Sequence, residues 1–128
     1  DIDHFKHVND THGHAVGDQV LQATAKIMTQ NMRAGDLLAR WGGEEFLALL
    51  PRTSPTAALE AAERIREAVE AFTLSVSDTN TQVRVTISFG VSSVRCLDDL
   101  QAATARADQA LYASKDNGRN RVTLAEDQ

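Results

Sequence analysis

Leu37-Leu38-Ala39-Arg40-Trp41-Gly42-Gly43-Glu44-Glu45-Phe46-Leu47-Ala48-Leu49-Leu50 is the stretch on which the reading of this chain turns. Two apolar runs, 37–41 and 46–50, flank adjacent glycines, and glycine supplies the backbone freedom that a reversal between strands requires. The stretch predicts a β-hairpin with Gly42-Gly43 at its tip and the carboxylates Glu44 and Glu45 just beyond. Paired glycines also remove the side chains that would hold a bound molecule off the backbone, so the tip suits a ligand's close approach.

Working outward, Val20, Leu21, Ile27 and Met28 recur at helical spacing and predict a helix over about 16–32. Beyond the hairpin, Ser54-Pro55 forms a helix start, Ser as cap and Pro at the first helical position, with Ala62, Ile65, Val69 and Phe72 as the buried face. Val83, Val85, Ile87, Phe89 and Val91 alternate with Arg84, Thr86, Ser88 and Gly90, a period of two that predicts a strand over 83–91. Leu100, Ala103, Ala107 and Leu111 return to helical spacing, Asn117-Gly118 closes that helix, and a short strand over 121–124 follows. The order is helix, hairpin, helix, strand, helix, strand, with no linker or repeat between them, which reads as one α+β domain over 1–128.

The bulk properties agree with a folded body. The 128 residues suffice for one packed core, and 42% hydrophobic with 24% charged residues is close to the globular average. A net charge of −5 leaves no broad basic face, which argues against a nucleic-acid polymer as partner while leaving room for an anionic small molecule held by a few local cations. Cys96 is the only cysteine, so no internal disulfide forms. No apolar run approaches the roughly 20 residues of a membrane span and no leader opens the sequence, so the expected location is the cytoplasm, with a longer parent free to be membrane-anchored.

The chain opens Asp1-Ile2-Asp3-His4-Phe5-Lys6-His7-Val8-Asn9-Asp10, a second acidic cluster beside that of the hairpin. Asp1 and Asp3 as helix caps and Glu44 and Glu45 as solvated charges is one account. The other is a site for Mg²⁺, which takes one or two protein carboxylates and completes its shell with phosphate oxygens and water; Asp1 and Glu44 suit that role. The four histidines, His4, His7, His12 and His14, lack the second cluster of Cys or His that a zinc site needs.

D-I-D-H-F-K-x-x-N-D, G-H-x-x-G-D-x-x-L, R-W-G-G-E-E-F and A-L-Y-x-x-K-x-x-G-R-N-R-V, in this order from Asp1 to Val122, resemble the GGDEF family of diguanylate cyclases, in its GGEEF variant. The resemblance implies an antiparallel-rich sheet flanked by helices, similar to polymerase palm and nucleotidyl-cyclase folds. It implies that two GTP condense into cyclic di-GMP with loss of pyrophosphate. Asp1, the Ile2 carbonyl and Glu44 become the ligands of two Mg²⁺ ions, with Mn²⁺ as a substitute, and Glu45 or Glu44 assists deprotonation of the attacking hydroxyl. Asn9 and Asp18 fall to the guanine base, His14 lies near the nucleoside, Gly42 and Gly43 receive the substrate, and Lys6, Lys115 and Arg119 meet phosphates, Lys6 in the transition state.

Arg33-Ala34-Gly35-Asp36 resembles the family's R-x-x-D site for inhibition by product, with Arg64 as third member. Arginine forks and a carboxylate can grip a cyclic dinucleotide, or the pair can be a salt bridge leading into the hairpin. Family members carry a helix and a core strand before the first Asp, so the resemblance implies a truncated domain from a longer parent with a sensor region upstream. A domain with one set of nucleotide residues implies a homodimer for a two-nucleotide product. The competing readings are a catalytically silent domain that binds cyclic di-GMP or GTP, and a purely structural dimerisation body.

Overall fold

A computed structural model describes residues 1–76, 80–96 and 99–126. Helices α1 (Phe5–His12) and α2 (His14–Gln30) are followed by strands β1 (Leu37–Arg40) and β2 (Phe46–Leu49), helix α3 (Pro55–Ala71), strands β3 (Leu74–Val76), β4 (Thr81–Val83) and β5 (Phe89–Val91), helix α4 (Leu100–Asp116) and strand β6 (Val122–Leu124). The α+β class is the one expected. Strands β1 and β2 form the antiparallel hairpin, Leu37 opposite Leu49 and Arg40 opposite Phe46, with the glycines at the tip.

Sequence periodicity missed two elements and misplaced others. Helix α1 is short, with only Phe5 and Val8 buried, too few to establish a period. The β3–β4 hairpin has three residues per strand, below the length at which alternation is legible. Helix α2 runs from His14 to Gln30 rather than over 16–32, because Gly13, at φ 90, divides it from α1. Helix α3 starts as expected, Ser54 Oγ accepting from Ala57 N at 3.1 Å, but Phe72, expected inside, is its C-cap and 37% exposed.

The continuous strand expected over 83–91 is divided. Residues 81–83 pair with β3, residues 89–91 pair in parallel with β6, and between them the neighbour is the three-residue segment 1–3. There Ile2 faces Ile87 in an antiparallel bridge, Asp3 N donates to Thr86 O at 2.9 Å and Ser88 N to Asp1 O at 3.0 Å. A ladder ends where its partner ends, so alternation alone could not set the strand's limits. Ser88, expected on the polar face, is 0% exposed, because the Asp3 carboxylate accepts its hydroxyl on that side.

The core lies between helices and strands in two clusters. Ile2, Phe5, Val8, Val16, Val20, Leu21 and Val83 seat α1 and α2, while Met28, Ile65, Val69 and Ile87 lock α2 and α3 onto the sheet. Helix α4 covers β5 so closely that a Cβ at Gly90 would overlap the Ala107 carbonyl oxygen and the Leu111 nitrogen. The sequence reading placed α4 by Leu100, Ala103, Ala107 and Leu111; its buried residues are Ala103, Ala110 and Ser114. No helix among the described residues is long and apolar enough to cross a membrane.

Candidate active site

The hairpin tip and the two N-terminal helices face each other across a cleft of about 430 Å³ lined by Phe5, Lys6, Asn9, His14, Asp18, Leu21, Arg40, Gly43 and Glu44. Six expected residues, Lys6, Asn9, His14, Asp18, Gly43 and Glu44, thus converge from three elements far apart in sequence. Helix α1 contributes Lys6 and Asn9, one helical turn apart, and α2 contributes His14 and Asp18 at i, i+4, so each pair shares a face. The two helices meet at Gly17, where a Cβ would overlap Asn9 Oδ1. Glycine costs a helix interior about 1 kcal/mol relative to alanine, and here it admits the Asn9 side chain.

Arg40 was not assigned a role by the sequence reading, although it stands inside the quoted R-W-G-G-E-E-F motif. Its Nε donates to Gly42 O at 3.1 Å and its Nη2 to Gly43 O at 2.8 Å. The guanidinium therefore anchors both tip carbonyls, with Trp41 N bonded to Glu45 O at 2.8 Å behind them. Phe5 and Leu21 supply an apolar floor, the kind of surface a planar ring can lie against.

Beside the cleft, Ile2 N donates to Glu44 O at 3.2 Å, which brings the acidic tip of the hairpin to the acidic start of the chain. Asp1 is buried; its Oδ2 pairs with Lys115 Nζ, and its Oδ1 has no hydrogen-bond partner. A buried orphan carboxylate oxygen beside a second carboxylate fits a hard divalent cation. Among the described residues no three His, Cys, Asp or Glu converge as a closed cage. Such a cation would therefore draw most of its shell from phosphate and water, as Mg²⁺ does.

Asp3 is buried without being orphaned: it accepts from Thr86 Oγ1 and Ser88 Oγ, each at 2.7 Å, and from Asn120 N at 3.0 Å. Sequence reasoning missed this support because its donors lie more than eighty residues away, and Asn120, though inside the quoted G-R-N-R-V run, carried no assigned role. Arg119 is exposed on the turn after α4, with φ 66, outside the residues that line the cleft.

Arg33 and Asp36 form a closed turn ahead of β1. Arg33 N donates to Asp36 Oδ2 at 2.7 Å, the ion pair measures 3.8 Å, and the guanidinium also reaches Pro51 O at 3.1 Å and the Thr53 hydroxyl. Arg64 lies exposed on α3, and among the described residues no ion pair joins it to Asp36. The salt bridge offered as the plainer account of this motif is therefore present.

Comparison with known proteins gives one consistent answer. The family described as Diguanylate cyclase, GGDEF domain, matches residues 1–121. Diguanylate cyclase A of Treponema denticola is 52% identical over 126 residues, covering 98% of this chain and 33% of that protein. Diguanylate cyclase DgcM of Escherichia coli is 45% identical over 125 residues, covering 98% of this chain and 29% of its own length. The chain thus spans a third or less of the length of the curated relatives it matches. The crystal structure of the GGDEF domain of DgcB from Caulobacter crescentus in complex with c-di-GMP superimposes with a TM-score of 0.93 at 41% identity, over 99% of this chain and 75% of that one.

Proposed function

The chain belongs to the GGDEF family of diguanylate cyclase domains, and from that premise we propose that it condenses two GTP into cyclic di-GMP and pyrophosphate, as one GGDEF domain over 1–128 of a longer protein. The observation that carries this reading is the cleft, where Asn9, Asp18, Lys6, Gly43 and Glu44 meet beside the orphaned Asp1 oxygen. Asn9 and Asp18 offer both polarities of hydrogen bond, which the guanine edge requires. Lys6 and Lys115 neutralise phosphate, with Arg119 drawn in from the following turn. Asp1, Glu44 and the Ile2 carbonyl would hold Mg²⁺, which neutralises phosphate charge when bound.

In each of two transfers a 3′-oxygen forms a bond to an α-phosphorus and the bond from that phosphorus to the β-phosphate oxygen breaks. Pyrophosphate leaves, and the hydroxyl proton passes to Glu45 or Glu44. One cleft holds chemistry for one GTP, so the reaction calls for two copies of the domain facing each other, brought together by an upstream sensor region. Arg33, Asp36 and Arg64 would bind product and restrain turnover; the R-x-x-D spacing and the c-di-GMP bound in the similar DgcB domain support this, with the Arg33–Asp36 ion pair as the competing account.

The test is to incubate the purified full-length protein with GTP and Mg²⁺ and to follow cyclic di-GMP and pyrophosphate by chromatography. Both products are expected, in a ratio of one to two. A folded protein that binds cyclic di-GMP but forms none would be the silent binding module instead.

A further inference from the structure

The turn after α4 holds two successive non-glycine residues in the left-handed region. Arg119 and Asn120 stand in succession at φ 66 and φ 48, in the left-handed region that glycine enters freely, asparagine more readily than alanine, and arginine seldom. Such a run persists where its surroundings over-determine it. Here they do so from two sides. The Asn120 N–H lies 3.0 Å from Asp3 Oδ2 and 3.1 Å from Ser88 Oγ. On the other side, Asn120 Oδ1 accepts from Arg66 Nη1 at 2.9 Å and Asn120 Nδ2 donates to the Glu70 carboxylate, both residues of α3.

The same turn continues the end of α4. Arg119 N donates to Ser114 O at 2.9 Å and Gly118 N to Lys115 O at 3.3 Å, and Lys115 is the residue whose ammonium pairs with Asp1. The backbone at Asn120 therefore ties the Asp1–Asp3 segment to the helix end that carries Lys115 and to the main chain from which Arg119 projects. We propose that Asn120 is a positioning residue: its left-handed main chain, bonded to Asp3, sets the placement of Lys115 against Asp1 and of the Arg119 backbone, and its side-chain bonds to α3 offset the cost of that conformation. The consequence for catalysis rests on the reading of Asp1, Lys115 and Arg119 given above; the placement itself does not.

Two substitutions separate backbone from side chain. Asn120→Gly keeps the left-handed conformation at no steric cost and loses the side-chain bonds, whereas Asn120→Ala loses both advantages. In the full-length protein without nucleotide, the acylation rate of Lys115 by acetic anhydride, read by mass spectrometry, reports whether its amine is still held. Asn120→Ala should raise that rate about threefold or more, and Asn120→Gly should stay near wild type, by the conformational preference just given. Calorimetry with a GTP analogue bridged by α,β-methylene should show affinity about tenfold lower in Asn120→Ala and within about twofold of wild type in Asn120→Gly.

Equal Lys115 labelling in all three proteins overturns the proposal, as does an Asn120→Gly protein that behaves like Asn120→Ala. If Asn120→Ala does not fold, Asn120→Gly against wild type decides: unchanged labelling supports the proposal and raised labelling overturns it. Should wild type fail to bind the analogue while Lys115 labelling still responds to Asn120→Ala, the nucleotide reading of the cleft falls and the positioning role stands.

Discussion

Glu44 stands half-buried at the cleft rim, on a hairpin whose pairing runs through the main chain of 37–40 and 46–49 and does not need its carboxylate. On the proposed reading, replacing it with alanine removes a hard oxygen ligand of Mg²⁺ while leaving the ladder in place. Product formation by Glu44→Ala should fall by about two orders of magnitude or more, the scale of losing a charge-stabilising group, with the melting temperature nearly unchanged. Activity measured beside a thermal melt checks this, and near-normal turnover by the folded variant would remove Glu44 from the metal site. Arg40 acts differently. Its two bonds to the tip carbonyls hold the glycine turn, and an exposed guanidinium bonded to neutral acceptors contributes at the low end of about 1.5–3 kcal/mol. For Arg40→Ala the expected result is a KM for GTP raised about tenfold with a smaller change in kcat, measured by steady-state kinetics.

Among the elements, α4 meets β5 main chain against main chain at Gly90. Gly90 sits where any side chain meets the main chain of Ala107 and Leu111, atoms that cannot swing aside as a side-chain tip can. Gly90→Ala should therefore destabilise by about 1–3 kcal/mol through overpacking, which lowers the melting temperature by about 4 °C per kcal/mol for a domain of this size. A calorimetric melt equal to wild type would mean that α4 shifts without cost. The packing bears on the site, because α4 carries Lys115 to Asp1 from its last turn. The pattern of Ala103 and Ala107 marked α4 as a helix. Only the Gly90 contact explains why small residues face the sheet there.

For the whole molecule, the proposed reaction joins two nucleotides while the cleft at the hairpin tip offers chemistry for one, which would make association a kinetic requirement. For a domain that dimerises weakly, the initial rate at saturating GTP should rise with the square of enzyme concentration and become linear once a dimer is enforced. Strictly linear rates from a protein shown to be monomeric during turnover would exclude two facing half-sites. On the proposed reading, product control and turnover are separable at Arg33. Arg33→Ala removes a charged fork from an anionic ligand, at about 1.5–3 kcal/mol, so cyclic di-GMP affinity should drop about tenfold to a hundredfold while uninhibited turnover persists. Its bonds to Pro51 and Thr53 give the alternative a clear signature: equal product affinity with a lowered melting temperature would leave Arg33 a brace for the turn before β1.

The sequence by itself determined the hairpin and its glycine tip, the start of α3, the end of α4, the α+β class and each of the two acidic clusters, because each is written in residues close together along the chain. Helix starts and tight turns depend on local φ, ψ and hydrogen bonding, so Ser54-Pro55 and Gly42-Gly43 declare them directly. The tertiary structure decided what depends on partners distant in sequence. It ended the 83–91 strand where the Asp1–Asp3 neighbour ends, buried Ser88 under Asp3, turned Phe72 outward and set Arg40 against the tip carbonyls. It also left Asp1 Oδ1 without a partner. Whether a polar atom is satisfied, or a face covered, is fixed by which segments pack together, and periodicity within one segment carries no record of that.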